Sequence, residues 1–292
     1  EYDRDSLWSR GWLVDPSGEK KLVHDMSSKE KYNDPGELID MRTPGGKRVF
    51  LHRDNNLYFL NNQGATPEGN RPFIAKMTID TGKLEKLYRC GTDTHERIYG
   101  FTDSSLTQIL IRRETPTSPR NYLLVDLATS NETPITDYTD PYPQLTTIEK
   151  RLVTYHREDG IPLSGILYLP PGYYGSARLP VVIQAYPTEF TDASTAGQIT
   201  GSPNAFPAFW GADIRYFILH GYAVLSNASI PIVGDPETVN TTFIEQTLKS
   251  VEAAIDFLSD EGIADRNRVG IIGHSYGAFM VANVLAHSDL CQ

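Results

Sequence analysis

The chain has 292 residues, 39% of them hydrophobic and 22% charged, with a formal net charge of −10, an ordinary globular composition with room for two domains. Dispersed negative charge and the lack of a basic run exclude nucleic acid as a partner, and no apolar run approaches membrane-spanning length. The two cysteines, Cys90 and Cys291, make no disulfide framework and fit no metal-site spacing, so neither metal nor cofactor is expected. Three Asn-x-Ser/Thr sequons, at Asn131, Asn227 and Asn240, bear on a eukaryotic secretory route only, and the compartment is otherwise not encoded.

Residues 1–147 alternate short apolar runs with turn clusters. Leu7–Val14 meets Asp15-Pro16-Ser17-Gly18 and then Lys21–His24; Phe73–Ile79 meets Asp80-Thr81-Gly82 and then Leu84–Tyr88; Asn121–Val125 meets Asp126–Ser130 and then Pro134–Thr136. Each is a hairpin pattern, strand then Asp-rich turn then strand. The turns at Asp80 and Asp126 are about one propeller-blade repeat apart, with a long loop expected over Gln63–Pro72. An all-β domain follows, a β-propeller segment of roughly two to three blades or another meandering sheet.

Residues 148–292 follow a different rule. Leu152–Tyr155 and Leu163–Leu169 flank Glu158-Asp159-Gly160 as a hairpin. Pro180–Ala185 is nearly continuous in apolar residues, as expected of a strand buried on both faces. A loop from Tyr186 to about Pro207, a helix over Phe209–Leu219 and a second buried strand over Tyr222–Ser226 come next. Thr241–Glu261 carries apolar residues at helical spacing (Phe243, Ile244, Leu248, Val251, Ala254, Ile255, Leu258). Alternating strands and helices predict a mostly parallel sheet with helices on both faces, an α/β-hydrolase domain.

The densest signal is Val269-Gly270-Ile271-Ile272-Gly273-His274-Ser275-Tyr276-Gly277-Ala278-Phe279-Met280. A short apolar strand runs into Gly-x-Ser-x-Gly and then a helix, the nucleophile elbow. Ser275 must stand at the apex of a turn too tight for side chains on its flanks, hence Gly273 and Gly277. The helix that follows points N–H groups at the place where an oxyanion would form. The N–H of Tyr276, the residue after the nucleophile, is the expected first donor.

The order of a sheet-rich half, Arg157–Gly160, Leu167-Tyr168-Leu169-Pro170-Pro171-Gly172, and Asp265-Arg266-Asn267-Arg268-Val269 leading to the elbow resembles the prolyl oligopeptidase family of serine peptidases. Gly64-Ala65-Thr66-Pro67, Asp140–Leu145, Ala196-Gly197-Gln198, Gly201-Ser202-Pro203-Asn204 and Gly277-Ala278-Phe279-Met280 are similar to its glutamyl endopeptidase branch. The resemblance covers almost the whole chain. It implies a propeller capping the hydrolase domain, an active site between them, peptide or oligopeptide substrates and an acyl-enzyme mechanism at Ser275. It also implies a longer protein of which this chain is an internal segment; homo-oligomerisation stays open. Tyr186 resembles the family tyrosine that supplies the second oxyanion donor, although Pro187-Thr188-Glu189-Phe190 stands where glycines commonly follow.

The triad acid and base are expected after the serine, in the order Ser, Asp, His. His287 lies twelve residues beyond Ser275 on the same helix, roughly 18 Å along its axis, and His274 belongs to the elbow with its ring turned away. His24, His52, His95, His156 and His220 read as surface or core residues, so the triad is incomplete within these residues. A cation would be needed to recognise an acidic substrate side chain, with Arg42 as one candidate from the first half. Two other readings stand beside the peptidase: an α/β-hydrolase esterase, disfavoured by the strand-rich first half, and a non-catalytic propeller module fused to a degenerate hydrolase fold.

Overall fold

The computed structural model describes residues 1–175, 177–209, 211 and 213–292. The three hairpins of the first half are present. Trp8–Val14 pairs antiparallel with Lys20–Ser27, with Tyr2–Asp3 on the outer edge. The Asp15 carboxylate closes the turn by accepting the N–H groups of Ser17 and Glu19 at 2.8 and 2.9 Å, the role that favours Asp in such turns. The second sheet runs Leu84–Arg89, Phe73–Thr78, Asn56–Asn61, Glu37–Leu38. The third is a sequential antiparallel meander of His95–Phe101, Gln108–Glu114, Asn121–Asp126 and Glu132–Pro134. Alternate residues of these strands turn inward, so Ile74, Ile98, Ile109, Ile111 and Val125 form one apolar core between the second and third sheets. Arg42 lies on a separate exposed hairpin, Asp40–Arg42 with Arg48–Phe50.

The second half is one five-stranded sheet: β1 (Glu149–His156), β2 (Pro162–Leu169), β3 (Leu179–Phe190), β4 (Ala223–Val233) and β5 (Ala264–Ile272), ordered β1-β2-β4-β3-β5. Only β4–β3 and β3–β5 are parallel; β1–β2 and β2–β4 are antiparallel. The expected mostly parallel sheet is therefore evenly mixed: the tight Glu158–Gly160 turn admits only an antiparallel partner for β1, and β2 in turn runs antiparallel to β4. Helix α2 (Phe243–Asp260) and helix α3 (Tyr276–His287) share one face, where Val251, Ala254, Ile255 and Leu258 meet Leu163, Leu167, Ile183 and Leu225. The other face carries no α-helix among the described residues. A 3₁₀ helix, Ile214–His220, packs Ile214 and Ile218 there against Ile166, Tyr168, Val182 and Val224.

That 3₁₀ helix corrects the expected helix over Phe209–Leu219, of which Trp210 and Ala212 lie outside the described residues. Gly211 at φ 57° cannot continue a right-handed helix. The turn starts instead where the Asp213 carboxylate accepts the Arg215 N–H at 2.9 Å. A second correction concerns β3, expected to end at Ala185 before a loop. It continues to Phe190, pairing Pro187 with Ile230 and Phe190 with Val233. Pro187 is tolerated because the pairing of β5 has already stopped at Gln184, leaving that side of β3 without a ladder for the missing N–H to break. The one-turn helix α1 (Ala193–Ala196) follows, capped by Asp192. In β5 the charged run Asp265–Arg268 is looped out, since Leu179 pairs with Ala264 and Val181 with Val269.

Two polar devices fix this assembly, one within the second half and one between the halves. Arg157, only 2% exposed, donates from the β1–β2 hairpin to the Pro231 carbonyl of β4 at 2.9 Å and to Ser250 and Gln246 of α2 at 3.3 and 3.1 Å, while its fork grips Asp159. The segment after α1 straps onto the first half. Gln198 accepts the Lys31 N–H at 2.7 Å and donates to Glu30; Ile199 N–H donates to the Tyr32 hydroxyl at 2.8 Å; Gly201 and Asn70 bond reciprocally; Asn204 donates to the Thr92 carbonyl at 2.7 Å. The Ala196–Gln198 and Gly201–Asn204 motifs belong to this strap, and Gly64–Pro67 opens the loop that receives it.

Candidate active site

The chain turns sharply between β5 and α3. Ser275 has φ 54° and ψ −116°, a region that residues with a Cβ occupy only under strain, at about 1–3 kcal/mol. The turn is held by hydrogen bonds from Gly277 N–H to the His274 carbonyl at 2.8 Å and from Ala278 N–H to the Ser275 carbonyl at 2.9 Å. Its tightness is measurable at the two glycines. A Cβ on Gly273 would lie 2.4 Å from the carbonyl carbon and oxygen of Gly277, and one on Gly277 would lie 2.9 Å from the Ala185 carbonyl. Both obstacles are backbone, which cannot rotate aside.

Gly273→Ala is therefore expected to destabilise the fold by at least the 1–3 kcal/mol typical of overpacking. Gly270→Ala in the same strand, where the nearest atom is 3.9 Å away, should leave the melting temperature nearly unchanged. Equal melting of the two variants would remove the steric account of the motif.

The Ser275 side chain is exposed at the carboxyl end of the sheet. The Tyr276 N–H beside it opens α3 and is one of the amides that a helix leaves without an internal acceptor. Tyr186, which the adjacent strand β3 delivers, is 52% exposed and meets the Tyr276 ring edge-on with centroids 6.2 Å apart. The structure thus brings Ser275, Tyr276, Tyr186, Gly273 and Gly277 together at one end of β3 and β5. Sequence reading missed the rest of the aromatic group. Phe243 lies 5.3 Å from Tyr276, and Phe279 stacks on Tyr276 at 6.0 Å. The i, i+3 spacing of Tyr276 and Phe279 on one helix was the available signal. Glu189 was missed with the extension of β3. It accepts the Tyr276 hydroxyl at 3.1 Å, and burial together with that carboxylate pushes the hydroxyl up to about 12.

A cleft of about 860 Å³ opens beside the turn, lined by Tyr186, Gly273 and His274 as well as by Lys31, Gln198 and Asn227. His274 is exposed and lines this cleft. Among the described residues no histidine is hydrogen-bonded to the Ser275 hydroxyl. His287 ends α3, bonded to the Asn283 carbonyl; His95 faces Glu114; His24 contacts Ser9. No group of three His, Cys, Asp or Glu among the described residues is arranged to hold a metal. Cys90 and Cys291 are buried, and burial pushes both thiols up to about 11, away from thiolate chemistry. No described helix is long and apolar enough to cross a membrane.

A strained serine between parallel strand and helix, flanked by glycines that only backbone contact requires, defines the nucleophile-elbow class of α/β-hydrolase sheets. The sequence profile of the prolyl oligopeptidase family matches residues 238–291, which hold α2, β5, the elbow and α3. Those residues belong to this family. The chain is 37% identical to "Probable glutamyl endopeptidase, chloroplastic" of Oryza sativa subsp. japonica and 35% identical to the protein of the same name from Arabidopsis thaliana. Each match covers 96% of this chain but 32% and 31% of those proteins, so the chain spans about a third of their length. Among solved structures, the Pyrococcus horikoshii acylaminoacyl peptidase is similar over 100% of this chain and 48% of its own, with a TM-score of 0.54 at 17% identity, a likeness of fold.

Proposed function

We propose that these residues are the nucleophile-bearing part of a serine peptidase that cleaves peptides through an acyl-enzyme, with glutamyl endopeptidase-like specificity. The observation that carries this is the strained Ser275 beside Tyr276 and Tyr186. Ser275 Oγ attacks the peptide carbonyl, the C–N bond breaks with its nitrogen taking up a proton, and water then releases the acyl group. The Tyr276 N–H and the Tyr186 hydroxyl receive the oxyanion. Gly273 and Gly277 keep the turn tight enough to present the oxygen. The general base is assigned to none of the histidines described above. In this reading residues 1–147 are part of a β-propeller that screens the cleft, supported by one five-stranded and one four-stranded antiparallel sheet, and residues 148–292 belong to the catalytic domain.

The test is a fluorophosphonate probe applied to the protein expressed as its complete open reading frame, followed by peptide mapping. Adduct on Ser275 is expected. A well-folded protein that takes no label there would sink the reading, and the esterase alternative with it.

Tyr186→Phe separates the second donor from an aromatic that only packs against Tyr276. It is expected to lower kcat about 10²–10³-fold, or about 2.7–4 kcal/mol, with KM little changed, since the bond forms chiefly to the developing charge. An unaltered kcat would take Tyr186 out of the oxyanion hole.

A further inference from the structure

Two lysines from the first half sit on Phe190, and one of them, Lys31, lines the cleft. Lys31 Nζ stands 5.5 Å and Lys29 Nζ 5.9 Å from the centre of the Phe190 ring. Lys31 and Phe190 line the same cleft as Tyr186, Gly273 and His274. Among the described residues no carboxylate oxygen lies within 4.0 Å of either ammonium. Glu30, the acid between them in sequence, is already engaged. Gln198 donates to both its oxygens at 3.0 and 2.9 Å, and the N–H groups of Tyr32 and Asn33 donate to it at 2.9 Å.

Both lysines are only partly exposed. Burial, and then the neighbouring Lys29, hold Lys31 below the ordinary lysine range. Contact with an aromatic face offsets part of that cost, by about 0.5–2 kcal/mol per cation. The two like charges still repel, and they stand without a counter-charge in a chain of net charge −10. The Lys31 backbone is not free to relieve this, since its N–H is held by Gln198. Two partly exposed, unneutralised cations on one aromatic ring, one of them lining the cleft, make a site for an anion.

We propose that Lys29 and Lys31 form a subsite for a carboxylate of the peptide, several residues removed from the scissile bond. The inference rests on the peptidase reading for the identity of the ligand. The spacing follows from β3, which stays extended through its pairing with β4 as far as Phe190. Phe190 is four positions beyond Tyr186, about 13 Å at ~3.3 Å per residue. With the scissile carbonyl beside Tyr186, a side chain next to the cleaved bond does not span that Cα separation, whereas about four residues of extended peptide do. The subsite is therefore separate from recognition of the residue at the cleavage position. An Asp or Glu side chain and the C-terminal carboxylate of a short peptide offer the same chemistry there.

The complete protein is tested with fluorogenic peptides that carry Glu or its isostere Gln at successive positions on either side of the cleaved bond. Each peptide is made with a free or an amidated C-terminus. One position several residues away should give a Glu/Gln ratio of kcat/KM of about ten, falling with added salt. Lys31→Met and Lys29→Met should bring that ratio to about one, and Lys31→Arg should keep it. Preference that follows C-terminal amidation instead of the side chain assigns the terminal carboxylate as the ligand. A ratio of one at every remote position with either terminus, or a ratio that survives in Lys29→Met/Lys31→Met, overturns the proposal. Anisotropy of the same labelled peptides on Ser275→Ala reads binding without turnover. Salt-sensitive binding of the Glu peptide that Lys31→Met abolishes, in a protein that cleaves no peptide, would retain the subsite and reject the peptidase reading. Equal binding of Glu and Gln peptides would reject the subsite whatever the turnover.

Discussion

Replacing Ser275 with alanine in the complete protein is expected to lower kcat about 10⁶-fold, the scale seen when a serine hydrolase loses its nucleophile. KM should change only a few-fold, because the hydroxyl contributes to the transition state and little to substrate binding. The variant is well controlled structurally. Alanine keeps the Cβ, so the turn at φ 54° is as strained as before, and the bonds from Gly277 and Ala278 use backbone atoms only. Its melting temperature should match the parent's. A residual activity of a tenth or more, with the fluorophosphonate adduct moving elsewhere, would place the nucleophile on another residue.

The second large effect is on stability. Arg157→Met should destabilise the sheet by roughly 3 kcal/mol, since the Pro231 carbonyl and the Ser250 and Gln246 groups lose a charged donor in a site closed to water. Asp159 contributes less to that figure, because its carboxylate is 43% exposed and rehydrates once its partner is gone. On a domain of this size the loss corresponds to a fall in Tm of about 6–12 °C. Arg157→Lys is the sharper variant. An ammonium keeps the charge but cannot reach a β4 carbonyl, an α2 hydroxyl and a carboxylate from one planar fork, so it should fall nearly as far. Full recovery by lysine would mean that charge alone, not the fork, holds the hairpin to α2.

The elbow was legible because its chemistry is local. Two glycines four residues apart, an apolar run before and small residues after are set by contacts within one turn, and the 2.4 Å approach at Gly273 is that contact seen in three dimensions. The hairpins were legible for the same reason, each being a strand pair closed by its own Asp turn. What escaped was decided across the chain. Pro187 reads locally as the end of a strand; β3 runs through it because β4 offers a partner on one side and β5 has withdrawn on the other. The parallel count of the sheet was misjudged because pairing direction belongs to connections, not to apolar runs. Lys31 and Glu189 carried no signal at all in sequence. One is brought to the cleft by Gln198, 167 residues away, and the other meets Tyr276 across 87 residues.

The backbone at residue 275 has a preferred occupant, and it is not serine. At φ 54° glycine would shed the strain that a Cβ imposes, and it would do so by removing the hydroxyl that the proposed mechanism uses. Folding and chemistry thus pull this position in opposite directions. A chain under selection for stability alone would drift there toward the inert residue, and the rest of the elbow, with its two glycines already paid for in chain entropy, would serve no purpose. In the proposed mechanism the molecule keeps a strained residue at the place where that strain holds an oxygen out to a substrate.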